Sequence, residues 1–270
     1  MNIIICIKQV PETTEVKINP ETNTLIREGV KSIVNPFDAY AIEEGVRLKE
    51  KLGGKATVIT MGPPQAEAVL REAISVGIDE GILLSDRAFA GSDTWATSYA
   101  LSAAIKKIGA FDLIVCGKQA SDGDTAQVGP GISAHLDVPQ VTYVKKIEEV
   151  SAEGGSACGG KFKMMRVERM TEEGFEIIEV PLPALITVVK EINTPRLPSL
   201  KGMMRAKQAK IIHWTAKDIE AEPDCIGLTG SPTQVVKIFT PPSRVGGQIL
   251  RGETQEIVEK LVEVLKSEIS

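Results

Sequence analysis

The chain has 270 residues, a hydrophobic fraction of 43% and a formal net charge of −5 at pH 7. This length fits one large domain, or one domain with an appendage, and allows a sizeable core. The acidic balance argues against nucleic acid as a partner, because binding a phosphate backbone requires concentrated positive charge. The N-terminus lacks a basic leader and no apolar run is long enough to cross a membrane, so we expect a cytoplasmic protein without a membrane partner.

The cysteines and histidines argue against a metal centre. Four cysteines stand far apart without a Cys-x-x-Cys pair, and there are only two histidines. We therefore expect no metal or iron–sulfur site and reduced, buried thiols instead. Hydrolase motifs and the P-loop motif are absent, and Gln9-Val10-Pro11 stands where a standard dinucleotide fold would have its glycine-rich turn. These absences disfavour a hydrolase, a P-loop NTPase and a standard dinucleotide fold.

The first half of the chain alternates strand patterns with helix patterns. Residues 2–8 form a nearly continuous apolar run, which predicts a central strand buried on both faces. Residues 15–27 then predict a small hairpin, and Pro36 opens the first crossover helix. Further strands are predicted at 55–61, 81–85, 113–116 and 139–144, with helices at 64–74, 95–108 and after 128. This order predicts a parallel sheet of right-handed βαβ units that binds ligands beyond the carboxyl ends of its strands.

Beyond residue 150 the alternation ends. Segments 161–170 and 175–192 are apolar or alternating without a helical period, which predicts strands of an antiparallel addition. Segment 193–210 contains two prolines and five cations around scattered apolar residues, and we expect an exposed loop there. A nucleic-acid patch is the alternative for this loop, but it has no aromatic side chains to stack on bases.

The C-terminal part is predicted to be an arm. Residues 240–247 are rich in Pro and Gly, which is typical of a linker, and 253–267 predict a helix with one apolar face. We therefore divide the chain into an α/β domain, 1–236, and an arm, 237–270, that docks on this chain or on a partner.

The stretch most indicative of ligand binding is residues 111–131, a short strand followed by a polar loop and a helix start. Such a helix start directs unpaired N–H groups at the space above the sheet, which favours a phosphate. Asp122 and Asp124 would repel a phosphate, so we expect them to accept backbone N–H bonds or to bind a ribose. An ordinary surface loop is the alternative.

The chain resembles the beta, or small, subunit of electron-transferring flavoproteins. The resemblance rests on four motifs in order: Ile5-Cys6-Ile7-Lys8-Gln9-Val10-Pro11, Asn35-Pro36-Phe37-Asp38, Gly117-Lys118-Gln119-Ala120-Ser121-Asp122-Gly123-Asp124-Thr125, and Asn193-Thr194-Pro195-Arg196 with Met204-Arg205-Ala206-Lys207. It implies a doubly wound parallel α/β sheet of the adenine-nucleotide hydrolase-like type, with an antiparallel addition and a C-terminal arm. It also implies a heterodimer with an alpha subunit that holds an electron-transferring FAD.

The loop after residue 120 looks like that of the electron-bifurcating branch of this family, found mostly in anaerobes. Ordinary members tend to have Asp-Asp-Asp and then Asn-Gln-Thr at this place. They hold AMP in the crevice beyond the carboxyl ends of the sheet strands. Here the order is Ser121-Asp122-Gly123-Asp124-Thr125-Ala126-Gln127. In the bifurcating branch the crevice holds a second FAD, which oxidises NADH. One electron then passes to ferredoxin or flavodoxin, and the other passes through the alpha-subunit FAD to an acyl-CoA dehydrogenase-like flavoprotein. AMP stays open as the alternative cofactor.

The expected crevice and the resemblance together give the candidate site residues. The cofactor-binding residues are Cys6, Asn35, Pro36, Phe37, Asp38, Met61, Gly117, Lys118, Gln119, Ala120, Ser121, Asp122, Gly123, Asp124, Thr125, Ala126, Gln127 and Val128. The expected NADH contacts are Gly62, Arg87, Phe89, Thr94 and Thr97. The residues expected to dock the acyl-CoA dehydrogenase-like partner are Leu200, Arg205 and Lys207. No catalytic side chain is expected, because a flavin carries the redox chemistry itself.

Two other classes stay open. A nucleotide-sensing module of the universal-stress type shares the fold but is usually shorter and lacks the 193–210 segment. An adenylating enzyme of the ATP-pyrophosphatase type would need a Ser-Gly-Gly-x-Asp loop where Gln9-Val10-Pro11 stands. Only the flavoprotein would be yellow when purified.

Overall fold

The computed structural model describes residues 1–12, 32–151, 164–236, 247 and 249–269. Its strands are β1 (Asn2–Cys6), β2 (Gln9–Pro11), β3 (Ser32–Val34), β4 (Lys55–Met61), β5 (Glu80–Leu84), β6 (Leu113–Gly117), β7 (Gln140–Ser151), β8 (Met164–Met170), β9 (Phe175–Pro181), β10 (Ala184–Val188) and β11 (Ile212–Trp214). Its helices are α1 (Pro36–Leu52), α2 (Glu67–Val76), α3 (Thr94–Ile108), α4 (Val128–Leu136), α5 (Leu200–Gln208) and α6 (Thr254–Ile269). The hairpin predicted at 15–27 and most of the linker predicted at 240–247 lie outside the described residues.

One large sheet organises the part of the chain that the structure describes. Its strand order is β11-β5-β4-β1-β6-β10-β7-β8-β9. All pairs from β11 to β7 are parallel, whereas β8 and β9 extend the sheet in antiparallel fashion. Strands β2 and β3 form a separate antiparallel pair. The predicted α/β architecture with an antiparallel addition is confirmed.

Strand β1 lies between β4 and β6, as predicted for a central strand. Its Ile3 and Ile5 belong to the core beneath α1 and α2, while Ile4 and Cys6 belong to the core beneath α3 and α4. Burial on both faces explains the continuous apolar run, because a strand covered by helices on each side has no face for polar side chains.

Strand β10 differs from the prediction, which assigned the whole of 175–192 to the antiparallel addition. β10 instead inserts between β6 and β7 and is parallel to both. All five of its residues are buried, and a short apolar run buried on both faces is typical of a parallel strand. β7 also runs beyond the predicted 139–144, because its first part pairs with β10 and its longer second part pairs with β8.

The segment 193–210 contains the helix α5, where the sequence predicted a loop. The Ser199 side chain accepts a hydrogen bond from the Gly202 N–H at 3.0 Å and so caps the helix. The Arg205 guanidinium donates to the carbonyls of Ile74 and Ile78 at 2.6 and 3.0 Å, which fixes α5 to the end of α2. The apolar side chains of α5 are nevertheless exposed, and the Leu200 side chain is 73% exposed. The predicted exposure is therefore confirmed.

Helix α6 carries an uncovered apolar face. Val258, Leu261, Val262, Val264 and Leu265 are between 39% and 50% exposed. Among the described residues, no helix has the length and apolar character needed to cross a bilayer. The apolar residues of α6 recur at helical spacing on one side, which indicates a surface that packs on protein.

Candidate functional site

A crevice opens beyond the carboxyl ends of β1, β4 and β6. Its volume is about 380 Å³, and β1 and β6 are the neighbouring strands from which the chain winds in opposite directions across the sheet. Ligands of open α/β sheets bind at this point. The residues lining the crevice are Cys6, Ile7, Lys8, Asn35, Asp38, Met61, Ser92, Asp93, Thr94, Thr97, Leu101, Cys116, Gly117, Lys118, Gln119, Ala120, Gly123, Thr125, Ala126, Gln127, Val128 and Gly129.

The structure brings together most of the residues predicted from the sequence. Among the predicted cofactor residues, those that do not line the crevice are Pro36, Phe37, Ser121, Asp122 and Asp124. Ser92, Leu101, Cys116 and Gly129 line it without having been predicted. Only their places beside the start of α3, within α3 and α4, and at the end of β6 could have indicated them.

The predicted NADH contacts divide into two groups. Thr94 and Thr97 line the crevice, whereas Gly62, Arg87 and Phe89 do not. The Phe89 side chain is only 6% exposed and packs in the core beneath α3. A buried ring does not favour the predicted contact with a nicotinamide, and the contact from Phe89 stays a prediction.

Asn35 holds the loop between β6 and α4 against the start of α1. Its side-chain amide donates to the Gln119 carbonyl at 2.8 Å, and its side-chain oxygen accepts from the Ser121 N–H at 3.0 Å. The Asn35 side chain is 1% exposed. Both ends of the amide are therefore satisfied by the loop backbone, which fixes one wall of the crevice.

Asp38 joins the ends of β1 and β6 beneath the crevice. Its carboxylate accepts hydrogen bonds from the Lys8 N–H, at 2.7 Å, and from the Gly117 N–H. A Cβ atom at Gly117 would lie 2.3 Å from the carboxylate, so only glycine fits there. Burial raises the pKa of Asp38 to about 7, against the opposing effect of its hydrogen bonds.

The two acidic side chains of the loop are bound internally. Both carboxylate oxygens of Asp122 accept from the Lys8 ammonium, at 2.7 and 2.8 Å. The Gln119 side-chain amide donates to Asp124. We expected backbone N–H groups or a ribose as partners of these carboxylates, and the structure shows side-chain donors instead. The ion pair with Lys8 leaves Asp122 less repulsive toward a nearby phosphate.

The loop backbone turns into an unusual conformation above the crevice. Asp124 and Ala126 have φ values of 52° and 55°, a left-handed region that costs a residue with a Cβ roughly 1–2 kcal/mol. Non-glycine residues held in such conformations cluster at ligand sites. Here they shape the wall that leads into α4.

The start of α4 faces the crevice without a side-chain cap. Gln127 occupies the N-cap position and makes no capping bond. The side chain of Gln127 accepts instead from the Thr94 hydroxyl at 2.8 Å, which links the two walls. Unpaired N–H groups at a helix start, together with the helix dipole, favour an anion.

Asp93 builds the opposite wall. One carboxylate oxygen caps α3 by accepting from the Trp95 and Ala96 N–H groups at 2.9 and 3.1 Å. The other oxygen accepts from the N–H and hydroxyl of Thr233 at 3.0 and 2.8 Å. Asp93 therefore ties the segment before the C-terminal arm to the crevice.

Lys118 provides a further positive charge at the crevice. Its ammonium group lies 5.7 Å from the ring centre of Phe37 and 5.2 Å from that of Tyr143, distances at which rings attract a cation. Phe37 therefore contacts Lys118 instead of lining the cavity. Within the described part of the chain, no cluster of His, Cys, Asp and Glu side chains could hold a metal ion.

Comparison with known proteins gives consistent matches over nearly the whole chain. A family model described as "Electron transfer flavoprotein domain" matches residues 22–219. The chain is 54% identical over 270 residues to the "Electron transfer flavoprotein subunit beta" of Thermoanaerobacterium thermosaccharolyticum, covering 99% of this chain and 98% of that protein. It is 50% identical over 268 residues to "Caffeyl-CoA reductase-Etf complex subunit CarD" of Acetobacterium woodii, covering 98% of each. It is 48% identical over 249 residues to "Protein FixA" of Azotobacter vinelandii, covering 90% and 85%.

Proposed function

The chain belongs to the electron transfer flavoprotein family, as a beta-type subunit, and from this premise we propose that its crevice binds FAD and that this FAD takes hydride from NADH. The subunit would be the entry point of an electron-bifurcating complex. A flavin can accept two electrons together and release them one at a time, and the protein supplies placement and electrostatics.

The observation that carries the proposal is the uncapped start of α4 beside the left-handed loop. Gly123, Thr125 and Ala126 line the crevice directly before this helix. Small side chains in the loop leave room for backbone N–H groups to approach a diphosphate, which needs more donors than a single phosphate. The Thr125 hydroxyl adds a donor, and Lys118 adds positive charge.

The size of the crevice suits the adenylate part of FAD. A volume of about 380 Å³ is near the lower end of small-molecule pockets, so the isoalloxazine ring would extend beyond it. Met61, Thr94 and Thr97 lie on the wall toward which the ring would project. Gly62 and Arg87 do not line the crevice, and they stay candidates for the contact with the nicotinamide.

AMP is the second candidate, and the same crevice volume favours it. A mononucleotide would fill a cavity of this size without extending out of it. The phosphate would meet the same helix start, so only the number of phosphates and the presence of a flavin distinguish the two ligands.

The partners follow from the exposed surfaces. We propose that residues 237–270 dock on an alpha subunit that holds a second FAD, and that domain 1–236 binds the crevice cofactor. Ferredoxin or flavodoxin would take one electron, and an acyl-CoA dehydrogenase-like flavoprotein would take the other. The relative CarD is named as part of a caffeyl-CoA reductase complex, which supports an acyl-CoA dehydrogenase-like acceptor.

The docking residues for that acceptor are proposed on α5. Leu200 is its most exposed apolar side chain, and one apolar anchor surrounded by charges is common in transient interfaces. Arg205 is bound to the end of α2, so the steering charge would come mainly from Lys207 and the neighbouring Lys201.

An anaerobic titration of the heterodimer with NADH tests the proposal. We expect the first equivalent of NADH to bleach the flavin of this subunit before that of the alpha subunit. Thr125→Trp, which fills the crevice, should remove this flavin and the rapid bleaching while leaving the alpha-subunit flavin. Glu172→Trp, in the exposed turn between β8 and β9, serves as the control. Rapid bleaching that survives in Thr125→Trp would place the NADH-reactive flavin elsewhere.

A further inference from the structure

Two cysteine residues stand side by side at the floor of the crevice. Cys6 ends β1 and is paired in register with Cys116 on β6. Residues paired in this way on parallel strands are separated by about 4.8 Å, the spacing between neighbouring strands. This estimate falls inside the Cα separation of roughly 4.4–6.8 Å that a disulfide requires.

The side chains of the pair point to the same face of the sheet. Both belong to the core beneath α3 and α4, and both line the crevice. Both are free cysteines in the structure, and the Cys6 side chain is near enough to Cys116 to raise the pKa of its thiol. Each residue is only 6–7% exposed, so the access to the sulfur atoms is from the crevice.

The surroundings of Cys116 favour its protonated thiol. The neighbouring Cys6 side chain, burial and the nearby Asp38 carboxylate all raise the pKa of the Cys116 thiol. The thiolate is the reactive form, so the raised pKa slows the reaction of Cys116 with an oxidant. Oxidation of the pair therefore requires sustained exposure of an open crevice, and once one sulfur is oxidised the other cysteine lies beside it on the neighbouring strand.

We propose that Cys6 and Cys116 are an oxidation site of the open crevice, at which a hydroperoxide converts the two thiols into a disulfide, and that a bound adenine nucleotide shields them. The shielding rests on the proposed function, whereas the oxidation of the open crevice does not. The site would make the empty subunit sensitive to peroxide and the loaded subunit resistant.

The chemistry balances with one hydroperoxide. One sulfur attacks the peroxide oxygen, the O–O bond breaks, and a sulfenic acid and one water form when hydrogen peroxide is the oxidant. The second sulfur then attacks the sulfenic sulfur, the S–O bond breaks and a second water leaves. Two thiols have lost two electrons and two protons, and hydrogen peroxide has become two molecules of water.

Peptide mapping of the whole heterodimer tests the proposal. After hydrogen peroxide treatment of complex freed of its crevice ligand, we expect a peptide pair joined through Cys6 and Cys116 that dithiothreitol separates. Cys225→Ser should keep this pair, because Cys225 stands in the turn Pro223–Cys225 and does not line the crevice. Cys116→Ser should abolish it. Separate sulfinic acids at the two cysteines, with no joined peptide, would overturn the proposal.

A second measurement on the wild-type complex does not depend on the folding of a variant. During peroxide treatment, Cys6 and Cys116 should lose their reactivity toward an alkylating reagent at the same rate. Unequal rates would overturn the pairing. AMP or FAD, each added at ten times its Kd, should slow the loss about tenfold, because only about one crevice in eleven is then open. Binding of either ligand without slowing would refute the shielding. If neither ligand binds, the proposed function fails, and the joined peptide still tests the thiol pair alone.

Discussion

The crevice and the C-terminal helix α6 differ in how many of their side chains have partners within this chain. Around the crevice, the polar side chains that shape the walls have hydrogen-bond partners within the chain: Asn35 bonds to the loop backbone, Asp38 to backbone N–H groups at two strand ends, and Thr94 to the Gln127 side chain. On α6, the apolar side chains are exposed along one face. The chain therefore builds its own ligand site but leaves its terminal helix uncovered.

The difference separates side chains with partners inside this chain from side chains that this chain leaves exposed. A site whose walls are fixed before the ligand arrives loses little conformational entropy on binding. An amphipathic helix with an open apolar face gains stability only when a second surface removes that face from water. Changes at the crevice should therefore affect folding and ligand affinity, and changes on α6 should affect assembly.

The largest expected effect concerns Asp38 and pH. Its pKa is about 7 in the folded chain, against the ordinary value of 3.8. As pH rises from about 4 to about 7, the unfolded chain loses this proton first, so the free energy of unfolding should fall by about 1.4 kcal/mol per pH unit, roughly 4 kcal/mol in all. The dependence should end above pH 7. Asp38→Asn should remove it, as measured by denaturation of variant and wild-type heterodimers across this range.

Asp122→Asn provides the control for that experiment. Asp122 is half-exposed and paired with Lys8, so its replacement leaves Asp38 in place. The variant should keep the wild-type dependence on pH. An unchanged slope in Asp38→Asn would show that another group produces it.

The next largest effect is expected on α6. Leu261→Asp places a charge on the apolar face, and we expect it to weaken association with the alpha subunit about 100-fold, as for a buried interface anchor. Glu259→Gln on the same helix is the control and should bind normally. The subunit expressed alone should aggregate or lose its cofactor. A stable, fully flavinated monomer in light scattering would contradict the assignment of α6 to the interface.

Asn35→Ala tests how much the fixed loop in the crevice wall contributes to the affinity for the nucleotide. Loss of the amide leaves the Gln119 carbonyl and the Ser121 N–H without their partner, which costs about 1–3 kcal/mol when such groups are buried. We expect roughly tenfold weaker binding of the crevice nucleotide, measured by equilibrium dialysis, because the loop must be ordered on binding. Normal affinity in this variant would mean that the loop is fixed by other contacts.

The general fold could be predicted because burial leaves a direct trace in the sequence. Residues 3–7 are apolar throughout, and the structure places β1 in the middle of the sheet. The same reasoning did not identify β10 as parallel, since its apolar run followed antiparallel strands in the chain and only long-range pairing decides its neighbours. The short helix α5 was missed because its stability comes from packing on α2 and not from its own periodicity.

The strand ends, loop and helix start that form the candidate site could be predicted from the sequence. Strand ends and helix starts meet at the switch point, so Cys6, Asn35 and the loop after Gly117 were expected together, and the structure places them together. The side-chain partners were not predictable in the same way. Lys8 with Asp122, and Thr94 with Gln127, depend on distances between segments far apart in the chain.

A smaller effect than on α6 is expected at α5. Leu200→Ala removes the exposed anchor and should weaken docking of the acyl-CoA dehydrogenase-like partner by about 2 kcal/mol, without changing the flavin content. Ile177→Ala, an exposed apolar residue on β9, is the matched control. Electron transfer to the dehydrogenase at the wild-type rate in Leu200→Ala would reject this docking site.

The cofactors released from the heterodimer show whether the crevice of this subunit holds FAD. The purified heterodimer is denatured, and the released cofactors are quantified by chromatography against the protein concentration. We expect two FAD per heterodimer and no AMP. One FAD together with one AMP would contradict this expectation, and would assign the crevice to a mononucleotide while leaving membership of the family intact.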